Sequence, residues 1–244
     1  MSSGVKELSE GDIHLWYSPL DLPASSLGRL ETTLNEDERQ RAEHFCSERE
    51  RSRFVAARGL LRRILGDYVG VEPSELQFSY GRQGKPSLTE RFGGNRIQFN
   101  LAHSSGYVIY AVTLSSKVGV DLERIAPVAG LEQLVSRFFS DREKKTFDAL
   151  AGSEKQAAFF KIWTAKEACL KASGEGLAHL DKIDVLLDQN KFQCSLKMNS
   201  KMWEDSHWSL EQLRPASNFM AAVVAERFGD RPSCLYYPEH PEYQ

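Results

Sequence analysis

The chain has 244 residues, 41% of them hydrophobic and 27% charged, with a formal net charge of −3. That length suits one large domain or two small ones with real cores, and that balance is ordinary for a globular protein. It gives no global attraction to nucleic acid or acidic membrane, so any polyanion must be met by a local patch.

Residues 13–17 alternate like a first strand, and residues 19–26 read as a loop. Asn35-Glu36-Asp37-Glu38 opens a helix with an acidic first turn, as the helix dipole favours. Eight arginines and no lysine lie between Arg39 and Arg63, the local basic patch that net charge alone would hide. Residues 52–69 form a second helix with Phe54, Ala57, Leu61, Ile64 and Leu65 as its core stripe, broken by Gly70-Val71-Glu72-Pro73. A strand over 77–80, a turn over 81–86 and a strand ending at Asn100 follow. His103-Ser104-Ser105-Gly106 is a turn into a strand over 107–113, and a short hairpin then reaches Asp121.

Residues 118–125 alternate apolar and charged, so Asp121 and Glu123 share one side of a sheet. Helices are expected over 131–139 and 140–150, then over 159–171, closed by Gly174 and Gly176. On that last helix Glu167 and Lys171 stand one turn apart, with Trp163 a turn earlier. Strands over 183–187, 193–196, 207–213 and 219–226 lead to a loosely held tail. An offset of 108 lays Arg58 on Lys166, Arg63 on Lys171 and Gly66 on Gly174, so long helix, glycine and short strands occur twice.

Four scattered cysteines (Cys46, Cys169, Cys194, Cys234) without a C-x-x-C argue against structural zinc and a disulfide framework. With a polar start and no apolar run of membrane length, they lead to the expectation of a cytoplasmic protein. Three carboxylates and a lysine on a strand and a helix suit a hard divalent cation beside a phosphate. Taken singly, the pieces are also what a solvated ion pair and the wet face of a sheet look like. A two-metal phosphodiesterase or nuclease and a non-catalytic binding module are the rival readings; the first usually needs a denser Asp/His cluster.

Gly119-Val120-Asp121-Leu122-Glu123 and the run from Trp163 to Lys171 resemble the G-[IV]-D-x-E and W-[ST]-x-K-E-[SA]-x-x-K motifs of the 4'-phosphopantetheinyl transferases, in their long form. Gly84-Lys85-Pro86, Phe99 to Ser104, and Arg137-Phe138-Phe139-Ser140 with Glu143 resemble three more of that family's motifs, in the family's order. The resemblance implies an α+β fold of two similar α/β subdomains about a pseudo-two-fold axis. The first (1–115) would hold the nucleotide end of coenzyme A, the second (116–230) the metal and catalytic groups, with 231–244 as the tail.

The implied reaction is the Mg²⁺-dependent transfer of the phosphopantetheine arm of coenzyme A to a serine of an apo acyl or peptidyl carrier protein. Adenosine 3',5'-bisphosphate is the other product. Asp121, Glu123 and Glu167 would hold Mg²⁺, and oxygen ligands suit Mn²⁺ equally. By the same resemblance Glu167 is the base and Lys171 stabilises the leaving phosphate. Lys166, Arg41, Arg53 and Arg82 meet phosphates, Lys85 and Pro86 form the adenine-contacting turn, His103 meets the 3'-phosphate, and Glu143 orders a water. Ala102 stands where the family commonly has serine. The carrier would dock along 131–150, with Arg137, Arg142, Lys144 and Lys145 as contacts, and a monomer is expected because one chain supplies both walls of the cleft.

Overall fold

The computed structural model describes residues 7–81, 84–174, 180, 183–187, 194–198, 201–202, 208–226 and 233–238. In chain order the first half carries β1 (Asp12–Pro19), α1 (Ala24–Glu31), α2 (Glu36–Glu43), α3 (Glu48–Val69), β2 (Phe78–Tyr80), β3 (Pro86–Leu88), β4 (Ile97–Ser104) and β5 (Tyr107–Leu114). The second carries β6 (Val118–Arg124), α4 (Leu131–Phe138), α5 (Asp141–Asp148), α6 (Gly152–Ser173), β7 (Ile183–Leu187), β8 (Cys194–Met198), β9 (Lys201–Met202), β10 (Trp208–Leu213), β11 (Phe219–Glu226) and β12 (Ser233–Pro238). The α+β class expected from the sequence is what these elements build.

Two sheets form the middle of the molecule, ordered β12-β1-β5-β4 and β10-β11-β6. The central strands β1, β5, β6 and β11 are buried on both faces, and the alternation of side chains sorts three cores. Trp16, Tyr110 and Val112 pack under α3 with Leu60, Leu61 and Ile64. Met220, Ala222 and Val224 pack under α6 with Phe159, Ile162 and Cys169. The opposite faces meet each other: Leu15, Ile109 and Ala111 of the first sheet lie against Val118, Val120, Leu122, Ala221 and Val223 of the second. The layers are therefore helix, sheet, sheet, helix, and the seam between the halves is a hydrophobic core. With Val118, Val120 and Leu122 committed to that seam, Gly119, Asp121 and Glu123 are turned toward α6.

The repeat is real, but its offset is 104. Both long helices have 22 residues, starting at 48 and 152 and ending at left-handed glycine caps, Gly70 and Gly174. The offset of 108 slid one copy by a helical turn, matching Gly66 to Gly174 where Gly70 is the counterpart. Each long helix is preceded by a short helix opening on a capping box, Asn35 with Glu38 and Ser140 with Glu143.

Four further expectations change. The stretch expected to be a loop after Pro19 becomes α1 from Ala24, whose Leu30 seats on α3 where Gly59 has no side chain to obstruct it; two serines and Gly28 hide that helix from propensity. The strand through Asn100 continues to Ser104, so His103 sits on β4, and only Ser105 and Gly106, both at positive φ, make the turn. The expected hairpin into Asp121 is a crossover between sheets, since β6 pairs with β11. Residues 233–238 of the expected tail pair in parallel with β1; a Leu-Tyr-Tyr run has strand propensity, and β1 offers it an open edge.

Candidate active site

The acidic groups converge where β6 lies on the last turns of α6. That approach depends on Gly119: a Cβ there would collide with Ala168 O, the carbonyl carbon of Lys171 and Ala172 N, all main-chain atoms. The Lys171 ammonium donates to Asp121 Oδ1 at 2.7 Å across the contact. Asp121 is 5% exposed, and its Oδ2 is buried without a hydrogen-bond partner among the described residues. Burial pushes the Asp121 carboxyl above its ordinary range, against the pull of Lys171. Glu123 and Glu167 are raised too, by burial first and then by the Asp121 charge. Three carboxylates thus share one ammonium and repel one another.

That surplus of oxygen ligands and negative charge fits a hard divalent cation. Among the described residues no three such side chains are drawn together into a metal cage. The donor set therefore suits an ion that arrives with phosphate oxygens and keeps some of its water.

The first half supplies the other wall. Asn100 Oδ1 accepts the Val120 N–H at 2.9 Å in the buried seam, fixing the Gly119–Val120 peptide one residue before Asp121. Ser104 Oγ donates to Glu123 Oε2 at 2.9 Å and accepts from Arg124 N. Both lie in the Phe99 to Ser104 motif, but nothing in their spacing says that they reach across to another sheet. His103 is close enough for the Lys171 charge to add to burial in lowering its pKa.

From His103 a cleft of about 640 Å³ opens over the first half, lined among others by Arg41, Arg53, Phe54, Tyr80, Pro86 and His103. Arg53 is held by Asp21 through two hydrogen bonds of 2.7 and 2.8 Å, and Arg49 reaches the same carboxylate. Those two guanidiniums hold the Asp21 carboxyl far below its usual range. Gly106 lies under Arg53, and a Cβ there would run into the guanidinium. Arg41 stacks over the Phe54 ring at 5.5 Å. Tyr80, 54% exposed at the rim, accepts a hydrogen bond from Arg58.

Several expected roles move. Lys166 meets no ligand surface: it is fully buried, paired with Glu143 at 2.7 Å, and donates to Phe138 O and Leu180 O. Glu143 is committed to the same buried pair; it accepts the Ser140 and Val185 N–H groups and caps α5. Trp163 stacks on Phe159 in the second core. Lys85 donates to Val118 O at 2.9 Å and Lys171 O at 2.6 Å. Burial, with Lys117 nearby, pulls its pKa down to about 8. Ala102 faces the core between the sheets, so the missing serine hydroxyl is not missing from the cleft. Arg82 lies outside the described residues.

Strand, helix and cleft thus bring three carboxylates and a lysine beside an arginine- and histidine-lined cleft at the junction of two repeated halves. Residues 24–115 match the N-terminal domain of 4'-phosphopantetheinyl transferases, and residues 117–224 match the 4'-phosphopantetheinyl transferase superfamily. The chain is 41% identical over 230 residues to the 4'-phosphopantetheinyl transferase HetI of Nostoc sp. strain PCC 7120, covering 94% of each chain. A 4'-phosphopantetheinyl transferase of Bacillus subtilis is 25% identical over 195 residues, covering 80% of this chain and 78% of that one. A holo-(acyl-carrier-protein) synthase from Bacillus anthracis, solved in complex with CoA, overlays 45% of this chain and 93% of its own at 21% identity and a TM-score of 0.38. The chain belongs to the 4'-phosphopantetheinyl transferase superfamily and is a transferase.

Proposed function

We propose that this chain moves the 4'-phosphopantetheine arm of coenzyme A onto a serine of an apo acyl or peptidyl carrier protein, releasing adenosine 3',5'-bisphosphate. The observation that carries the reading is the Lys171–Asp121 pair, close enough to Glu123, Glu167 and His103 of the basic cleft for these charges to act on one another. Asp121, Glu123 and Glu167 would hold Mg²⁺, or Mn²⁺ with the same oxygen chemistry, which supplies positive charge to the pyrophosphate when bound. Glu167 takes the proton from the carrier serine hydroxyl; burial and neighbouring carboxylates, by raising its pKa, make it a stronger base than a free glutamate. Lys171, already a donor to Asp121, offers its ammonium to the departing phosphate.

The first half, residues 1–115, grips the nucleotide. Arg41, Arg53 and His103 meet phosphates, and the turn at Pro86 meets the adenine, with Arg82 assigned by resemblance alone. Residues 116–230 carry the metal ligands and the base. The carrier docks along α4 and α5, where Arg137, Arg142 and Lys145 are exposed and suit an acidic helix. One chain supplies both walls, so the working unit is a monomer. The test is the intact mass of apo carrier proteins from fatty-acid, polyketide and peptide pathways after incubation with the enzyme, coenzyme A and Mg²⁺. A gain of one phosphopantetheine arm, abolished by EDTA, is expected. Coenzyme A binding without any gain would leave a binding module.

A further inference from the structure

The last carbonyls of a helix have no partner within the helix, and a cation placed there also meets the negative end of the dipole. In α6 the Leu170 carbonyl is taken by Gly174 N and Ser173 Oγ. The next carbonyl, Lys171 O, accepts from Lys85, a residue of the other half of the molecule. The same ammonium holds Val118 O, at the start of β6. Strand β6 pairs with β11 along one side, so the Val118 carbonyl is joined to α6 through a side chain from outside both elements.

Two independent features meet at this spot. Gly119 lets β6 press directly on the Ala168 to Ala172 backbone, and Lys85 ties the two backbones together one residue away. The residue whose carbonyl is tied is the one whose side chain pairs with Asp121. Lys85 also precedes Pro86, which lines the cleft.

We propose that Lys85 is a positioning residue for the transfer reaction: its ammonium clamps the final turn of α6 to β6 and so sets where the Lys171 ammonium stands. This rests on the function proposed above. It departs from the expectation that Lys85 serves the nucleotide, since two of the three N–H donors of its ammonium go to main-chain carbonyls.

The test is Lys85→Met, which keeps the stem and removes the donor, with Lys85→Arg as the conservative variant. Amide hydrogen exchange should quicken in peptides covering 168–174 and 118–120, and nowhere else. The kcat for arm transfer should fall roughly 10- to 100-fold, as a misplaced group at a reacting centre costs, while the KM for coenzyme A stays within threefold of the wild type, by the logic that splits positioning from binding. Lys85→Arg should restore much of the kcat. The deciding readout is the double variant with Lys171→Met: if Lys85 acts through Lys171, its effect on kcat largely disappears in that background.

Additive losses in the double variant overturn the proposal, and so does a raised KM with unchanged kcat, which would make Lys85 a ligand of the nucleotide. Unchanged exchange at 168–174 overturns it whatever the activity. A wild-type chain inert toward every carrier would sink the functional reading, and the role given to Lys85 with it, while the exchange pattern still reports whether the contact exists.

Discussion

Lys166 gives the sharpest separation between a ligand-binding and a structural cation. Its ammonium and the Glu143 carboxylate are both fully buried at 2.7 Å, and Lys166 also satisfies two carbonyls. In Lys166→Met the carboxylate loses its counter-charge and Phe138 O and Leu180 O lose their donor. Breaking one side of a buried pair costs about 3–5 kcal/mol. Glu143 softens the loss by taking a proton, because burial already holds its carboxyl above the ordinary range, so the lower end, about 3 kcal/mol, is expected near pH 6. For a chain of this size that is a fall of roughly 10 °C in the unfolding midpoint. The deficit should grow as pH rises and the stranded carboxyl is forced to ionise. Lys166→Met with Glu143→Gln should recover much of the loss, since no buried charge remains. Circular dichroism melts over pH 5 to 8, with calorimetric titration of coenzyme A, make the measurement. A variant that melts like the wild type but binds coenzyme A weakly would refute the argument and return Lys166 to the phosphate site.

Glu167→Gln should reduce transfer by roughly 10²- to 10⁴-fold, the usual worth of a general base, with coenzyme A affinity little changed; equal loss of both would make the residue chiefly a metal organiser. The raised pKa values of Glu123 and Glu167 mean that the folded chain holds those protons more tightly than the unfolded one, so ligand-free stability falls as pH rises from the ordinary carboxylate range through the raised values. Glu123→Gln should flatten that fall and raise the neutral-pH melting point of the ligand-free protein, and a melting point lowered by the substitution would count against the repulsion. Gly119→Ala forces a methyl into main-chain atoms that cannot swing aside and should cost about 3 kcal/mol or more, with activity lost in step; a variant of unchanged stability would show that β6 does not rest on α6 as described.

The pairings proposed for catalysis were legible because they rest on local periods. Strand alternation put Asp121 and Glu123 on one side, and a helical turn put Glu167 near Lys171; both follow from geometry that a short window carries. The contacts that place those groups were illegible for the opposite reason. Asn100 to Val120, Ser104 to Glu123 and Lys85 to Lys171 O span 20, 19 and 86 positions and join different elements. No period in the chain encodes them. Lys166 needs a third kind of information: about 100° per residue turns it away from its neighbour Glu167, and only the placement of α5 shows that it is turned into the core.

The repeat, set at its true offset, sorts these residues further. Arg62 lies on Lys166, and each pairs in the core with the capping-box glutamate of the preceding helix, Glu38 at 2.6 Å and Glu143 at 2.7 Å. A buried cation on a long helix, neutralised by a glutamate that also caps a short one, is therefore part of the scaffold that both halves need. One and five positions on, the copies diverge. Glu167 lies on Arg63 and Lys171 on Asp67, a reversal of charge at both positions. The half that faces the basic cleft with carboxylates can hold a cation between itself and a phosphate; its twin, with an arginine where Glu167 stands, has no such surplus of oxygen. On the function proposed above, that difference confines the site to one of the two copies.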